Sequence, residues 1–245
     1  MLRISSVFIA ISIALSGTFA FAEETRNREL LGLDLGYGFT TVRGDDSNFR
    51  LDGDLEGFDA DLLINPVKDI SIGIGGRLDT GSFVGTTGFV TDYERYLLDV
   101  NIYYNLAIPQ TNVQISPLVG LTYIYADNSY LENGGSHDTS QEAYKANIGI
   151  ALTHDVSNFF YRLESAYVYT LDEVQKVQTP HFSLTQDSDG DDSFYVKANF
   201  GYKFSEKFVI GVKPELRYDV FTYSPTSRQA EQIEFSLTGY LGFRF

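Results

Sequence analysis

The chain contains no cysteine, no tryptophan, a single methionine and only six prolines in 245 residues. Without cysteine there is no disulfide staple, no thiolate nucleophile and no cysteine metal site. A thiol-free chain also suits passage through an oxidising periplasm. Positive charge is scarce: 18 lysines and arginines stand against 33 aspartates and glutamates, a formal charge of -15. That balance argues against nucleic acid as a partner. Long apolar runs are missing as well. Beyond residue 22 no stretch approaches the roughly 20 apolar residues a helix needs to cross a bilayer. Any crossing is therefore made by strands, and inside lipid only a closed barrel satisfies every backbone hydrogen bond of a sheet.

Residues 1–22 read as an export signal. Arg3 supplies the positive n-region, Val7 to Leu15 an apolar core, and Ala20-Phe21-Ala22 a small-x-small cleavage site before Glu23. Residues 23–245 are then one β-domain. Alternation of apolar and polar residues divides it into ten segments. The first carries Leu31, Leu33, Leu35, Tyr37 and Phe39 on one face; the fourth Tyr96, Leu98, Val100, Ile102 and Tyr104; the sixth Tyr144, Ala146, Ile148, Ile150 and Leu152; the tenth Ile233, Phe235, Leu237, Leu241, Phe243 and Phe245. The second segment slips phase near Gly57, from Phe49, Leu51 and Leu55 to Phe58, Ala60, Leu62 and Ile64, which predicts a bulge there.

Connections alternate in length. Residues 65–69, 107–111, 154–157 and 205–207 are short, whereas 80–92, 127–141, 172–192 and 222–231 are longer and rich in Gly, Ser, Thr, Asn and Asp. Short periplasmic turns and long outer loops are the rule for transmembrane barrels. Aromatics gather at segment ends. Tyr104, Phe159, Tyr161, Tyr202, Phe204, Phe208, Phe243 and Phe245 would form an inner girdle; Tyr37, Phe39, Phe49, Tyr96, Tyr123, Tyr144, Tyr167, Tyr169, Phe194 and Tyr218 an outer one. Pro117 and Pro214 fall inside segments and each removes a ladder donor, so a local bulge or break is expected at both. A secreted sandwich or lipocalin-like barrel is the alternative fold.

The last residues, Thr238-Gly239-Tyr240-Leu241-Gly242-Phe243-Arg244-Phe245, resemble the C-terminal targeting signal of Gram-negative outer-membrane barrels. Leu241, Phe243 and Phe245 match its alternating apolar positions and final Phe; the glycine usual in that signal falls where Tyr240 stands, with Gly239 one place early. The resemblance implies an all-β, transmembrane, antiparallel up-and-down barrel in the outer membrane. Its implied partners are outer-membrane lipid, lipopolysaccharide and the barrel assembly machinery. Acidic outer loops would need divalent cations to meet anionic lipopolysaccharide.

The opposite phase is charged with both signs: Arg50, Asp52, Asp54, Arg77, Asp79, Arg95, Asp99, Arg162, Glu164, Lys213, Glu215, Arg217 and Asp219 are expected to line the bore as a paired network. Buried ions cost several kcal/mol each unless paired, so intermixed signs are what a narrow lumen requires. A ten-stranded barrel is little wider than the eight-stranded kind that side chains just fill.

Signals for chemistry are sparse. The omptin proteases use a D-x-D pair with an Asp-x-His pair to activate water. Asp52-Gly53-Asp54 is similar to the first pair, but Thr179 stands two places before His181, so the second is broken. His137 and His154 read as an outer-loop and a turn residue; Ser183 and Asp187 near His181 keep lipid A modification as a lesser alternative. Asp187, Asp189 and Asp191 around Gly190 could wrap Ca²⁺ weakly, although Ala198 stands where an EF-hand needs its Glu. No other cofactor is expected. The glycines at 36, 38, 73 and 75 read as small bore-facing residues. The expected role is non-enzymatic, structural or surface-interacting through the outer loops. A narrow porin-like channel comes second and an outer-membrane enzyme third.

Overall fold

The computed structural model describes residues 31–46, 49–85, 90–132, 135–178, 183–187, 192–223 and 228–245. The expected export signal lies outside these residues, as do Asp189, Asp191 and His181. The described chain forms β1 (Leu31–Asp46), β2 (Phe49–Val67), β3 (Ile70–Gly85), β4 (Val90–Tyr104), β5 (Leu106–Ala107), β6 (Val113–Glu132), β7 (Gly135–Val156), β8 (Phe159–Gln178), β9 (Ser183–Asp187), β10 (Asp192–Lys203), β11 (Phe208–Tyr223) and β12 (Arg228–Arg244). All pairings are antiparallel between sequence neighbours, except that β12 returns to β1 and closes the sheet into a ten-stave barrel. Closure runs from Gly32↔Arg244 to Asp46↔Ala230, and Leu31 and Phe245 exchange backbone hydrogen bonds beyond it. β5 continues β4 in the same register past a break at Asn105. β9 and β10 likewise form one stave: Val174↔Asp187 and Tyr169↔Asp192 share a register along β8.

The ladder explains the two prolines. Pro117 pairs Ile150 without a shift, and its missing donor faces the break between β4 and β5. Pro214 pairs Leu237, and the ladder to β10 skips its own rung and that of Lys213 while keeping register. Each proline thus sits at a local break rather than a bulge.

Two expectations are corrected. No bulge occurs at Gly57, because β2 runs in continuous register past both neighbours, with Gly57 opposite Gly38 and Asp79. The long outer connections are mostly strand. β6 and β7 pair up to Glu132↔Gly135, and β8 extends to Gln178. Polar, Gly-containing segments read as loops by composition, but pairing with a neighbouring strand overrides that preference.

Both corrections have one cause. A strand crosses hydrocarbon in roughly 9–11 residues, yet β7 has 22 and β8 has 20. The surplus rises above the lipid as a collar, and there the two faces exchange character. On β1 the outward residues are Leu35, Tyr37 and Phe39, then Thr41, Arg43 and Asp45; the inward ones are Asp34 and Thr40, then Val42. On β2, Phe58 is 65% exposed on the outer wall, while Leu55, three residues higher, is 2% exposed inside. The apparent phase slip is the barrel leaving the membrane. Ring contacts mark both borders. Tyr37 lies 5.6 Å from Phe39 and 5.1 Å from Phe58 at the outer border. Phe208 lies 6.0 Å from Phe204 and 5.5 Å from Phe243 at the inner one. The Phe49 side chain is outside the described residues.

Candidate functional site

The bore is the place where polar chemistry concentrates. Strict alternation carries Arg77, Asp79, Arg95, Asp99, Arg162, Glu164, Lys213, Glu215, Arg217 and Asp219 inward from β3, β4, β8 and β11. Arg50, Asp52 and Asp54 do not join them. With no bulge at Gly57, these three keep the outward phase of β2 and stand on the solvent-facing wall of the collar. Arg50 Nε lies 2.9 Å from Asp52, Arg43 lies 3.9 Å from the same carboxylate, and Thr41 donates to Asp54 at 2.9 Å. Asp52 and Asp54 are therefore not poised over the bore as a water-activating pair would be.

The inward charges form linked groups. In the lower half, Lys213 Nζ lies 3.1 Å from Asp59, 2.5 Å from Asp61 and 3.6 Å from Asp34, and 4.5 Å above the Tyr240 ring. Arg244 reaches Asp34 at 2.7 Å, and Lys197 reaches Asp61 at 3.7 Å. Across the bore, Glu164 accepts from Arg162 at 3.0 Å, Tyr195 at 2.8 Å and Tyr103 at 3.2 Å. Both tyrosines pack with Leu118, Ala151, Ala166 and Val168, so this sector of the lining is apolar around one carboxylate. Higher up, Arg95 lies 2.8 Å from Asp79 and 2.6 Å from Glu234, and Arg77 lies 2.7 Å from Asp79 and 3.0 Å from Ser236. These contacts tie β3 and β4 to β12 through the middle of the barrel. Opposite them, Lys145 lies 3.4 Å from Ser193 and 3.9 Å from Asp219.

Such pairing is what burial demands, since an ion taken from water without a partner costs several kcal/mol. Among these groups lies a cavity of about 30 Å³ lined by Asp59, Asp61, Arg77, Arg95, Asp99, Lys197, Arg217 and Glu234 among others. That is room for about two water molecules. Above it the collar carries its own core: Val42, Leu55 and Phe83 are 1%, 2% and 3% exposed, with Tyr93 packed on them. Phe83 and Tyr93 meet edge to face at 4.6 Å, and burial pushes the Tyr93 phenol up to about 12. Sequence alternation alone did not find these residues, because it assigns one face to lipid along the whole strand. The signal was the charge on the apolar phase at Arg43, Asp45 and Glu94.

At the periplasmic end the lining is aromatic over glycine. The hydroxyl of Tyr240 donates to Asn199 at 2.7 Å, and its ring lies against Gly211. A methyl at Gly211 would meet this ring and the Phe200 carbonyl oxygen. Gly211→Ala is expected to lower stability by about 1–3 kcal/mol, the usual cost of overpacking, read from denaturant unfolding in micelles; an unchanged midpoint would show that the ring moves aside freely. Leu241 is lipid-facing, and Phe243 and Phe245 lie at the inner border.

β8 carries one bulge, at Leu171, between the pairs Lys145↔Thr170 and Tyr144↔Asp172. The extra residue turns Glu173 inward, where it is 5% exposed. Gln141 donates to one of its oxygens at 2.7 Å, and among the described residues the other has no hydrogen-bond partner. Burial raises its pKa, opposed by the charge of Lys145 and reinforced by that of Asp219. A carboxyl whose folded pKa is raised stabilises the fold below its unfolded pKa and loses that contribution as pH rises through the folded one. Unfolding in mildly acidic and mildly alkaline buffer should show this slope, and Glu173→Gln should flatten it; an identical slope in the variant would assign the pH dependence elsewhere. His137 and His154 lie within β7, paired with Tyr130 and with Val113 and Tyr161, not in loops or turns. The backbone of Asp187 ends β9; the proposed Ca²⁺ partners Asp189 and Asp191 are outside the described residues.

No family model matches the sequence, and no curated protein matches it. Solved structures do match the fold. The outer-membrane protease OmpT of Escherichia coli aligns with TM-score 0.61 at 13% identity, covering 88% of this chain and 96% of that one. The translocator domain of the autotransporter NalP from Neisseria meningitidis aligns with TM-score 0.53 at 8% identity, covering 98% of each. At such identities the likeness speaks for the fold alone. Closure, two aromatic borders and an apolar outer belt agree with it. The chain has the fold of the Gram-negative outer-membrane β-barrels.

Proposed function

We propose that this barrel is a non-conducting, non-enzymatic surface protein whose collar makes its functional contacts. The observation that carries the reading is the cross-linked bore: Arg95, 6% exposed, holds Asp79 and Glu234 across it. On this reading such ion pairs leave no path for a sugar or peptide. The outward placement of Asp52 and Asp54 supports a non-enzymatic role, since they meet Arg43, Arg50 and Thr41 instead of a base over the bore. Most of the described bore charges are paired, and the acidic groups that remain stand largely on the outer wall of the collar. Asp52, Asp54, Glu56, Asp92 and Glu94 face outward just above the aromatic border, where lipopolysaccharide phosphates would meet them through divalent cations.

The purified chain in a planar bilayer is expected to give no current steps, and liposomes carrying it to exclude sugars. Steady ohmic steps from the natural sequence would instead favour a narrow channel.

A further inference from the structure

One row of the bore leaves two carboxylate oxygens without donors. Asp61 on β2, Gly75 on β3 and Asp99 on β4 stand side by side on paired rungs. Asp61 turns its Oδ2 to Lys213 at 2.5 Å and to Lys197 at 3.7 Å. Asp99 Oδ1 accepts from the Thr122 hydroxyl. The Asn147 amide donates to that hydroxyl at 2.8 Å, which leaves the Thr122 proton for Asp99. Among the described residues nothing donates to Asp61 Oδ1 or Asp99 Oδ2, and Asp99 makes no ion pair.

These two oxygens meet over Gly75. A Cβ built there would lie 2.7 Å from Asp61 Oδ1 and 3.9 Å from Asp99 Oδ2. The glycine thus keeps a place open between two carboxylates. That place belongs to the cavity of about 30 Å³, with room for about two water-sized occupants. The cavity wall carries five carboxylates, Glu215 included, and four cationic side chains. Asp99 is the surplus one, because Asp59, Asp61, Glu215 and Glu234 each have a cation at 3.3 Å or less. The side chains of Asp61 and Lys197 point inward yet are 28% and 29% exposed, and the cavity is what exposes them.

We propose that this chamber holds one small monovalent cation of sodium's size between Asp61 Oδ1 and Asp99 Oδ2, with water completing its shell. Hard cations take carboxylate and water oxygens as ligands. A buried carboxylate without a counter-charge is costly, and a single positive charge cancels the surplus here. A doubly charged ion would be opposed by Lys197 and Lys213, which hold the other Asp61 oxygen. Above the site, Arg95 bridges Asp79 and Glu234; below it, Lys213 and Arg244 close on Asp34. The ion is therefore a resident taken up as the barrel closes. The proposal rests on the closed-bore reading, since in an open bore the same ion would be in transit.

The test refolds the full chain into detergent micelles in sodium chloride or in N-methylglucamine chloride at equal ionic strength. The organic cation is too large for the chamber. Sodium at ten times its dissociation constant should lower the unfolding equilibrium constant about eleven-fold relative to N-methylglucamine. Asp99→Asn should remove that difference by removing the charge, and Gly75→Ala by filling the place. Heat-dependent gel mobility shows that each variant folds. Crystals soaked in thallium(I), an electron-rich substitute, should give an anomalous peak between Asp61 and Asp99. Equal stability in the two salts, a sodium effect that survives both variants, or a thallium peak only elsewhere overturns the proposal. So does an infrared band of a protonated carboxyl that Asp99→Asn removes, since a proton would then stand in the cation's stead. The bilayer measurement decides the closed-bore reading separately: silence there without a sodium effect removes only the cation site, whereas current steps remove the reading beneath it.

Discussion

Replacing Arg95 with alanine lowers the unfolding free energy by about 3–5 kcal/mol, the cost of leaving a buried charge without its partner. The reason lies in what each carboxylate keeps. Asp79 retains Arg77 in an ion pair at 2.7 Å, whereas Glu234 retains, among the described residues, the Gln232 amide at 2.6 Å and only the more distant charges of Arg217 and Arg77. Glu234 is 5% exposed, so bulk water does not reach it to replace the lost guanidinium. Adding Glu234→Gln to the Arg95 variant should recover most of the loss, since neutralising both partners removes the orphaned charge. The chain has no tryptophan, so unfolding is best followed by circular dichroism and by gel mobility of the folded form. A loss below about 1 kcal/mol, the value of a solvated pair, would mean that water fills this part of the bore and would weaken the closed-bore reading with it.

The second large effect concerns the collar. Leu55→Ala should cost about 2–5 kcal/mol, as truncation of a fully buried leucine does. Asp52→Ala, three positions away on the same strand, should cost no more than about 0.5 kcal/mol, because its ion pairs with Arg43 and Arg50 are half exposed and screened. A sheet whose apolar face met lipid along its whole length would give the reverse order, with Leu55 tolerant and the Asp52 position sensitive. Denaturant midpoints of the two variants, measured side by side, decide which face is inside at that height. Equal losses would mean that the collar has no core of its own.

Much of this architecture is legible in the sequence because the physics that sets it is local. A strand's side chains alternate, and hydrocarbon on one side sorts them without exception, so the outward positions of Val100, Ile102, Ile148, Ile150 and Leu241 follow from period two alone. The stave number followed from the same alternation, since each reversal of the chain leaves a turn. The height of the barrel was not legible. Arg50, Asp52 and Asp54 obey the same alternation as their neighbours, but the solvent outside them changes from lipid to water, and a pattern rule that assumes one solvent turns that change into a register slip. The prolines are a related case. Each needs a rung missing on one side only, and which neighbour breaks its ladder is a property of the tertiary pairing, not of the residues around Pro117 or Pro214. Glu173 was invisible for a further reason: its inward aim depends on one extra residue at Leu171, which no composition marks.

The rungs that join β1 to β12 link positions about two hundred residues apart, so the molecule's order of synthesis and its order of stabilisation are opposed. The earliest stave to emerge waits longest for a neighbour. Until the final stave arrives, both margins of the growing sheet hold unmet amides that hydrocarbon punishes, and contacts of such long range make folding slow. Insertion and completion are thereby forced into a single all-or-none event, and a polypeptide halted a few rungs short gains almost nothing from the nine staves it already has.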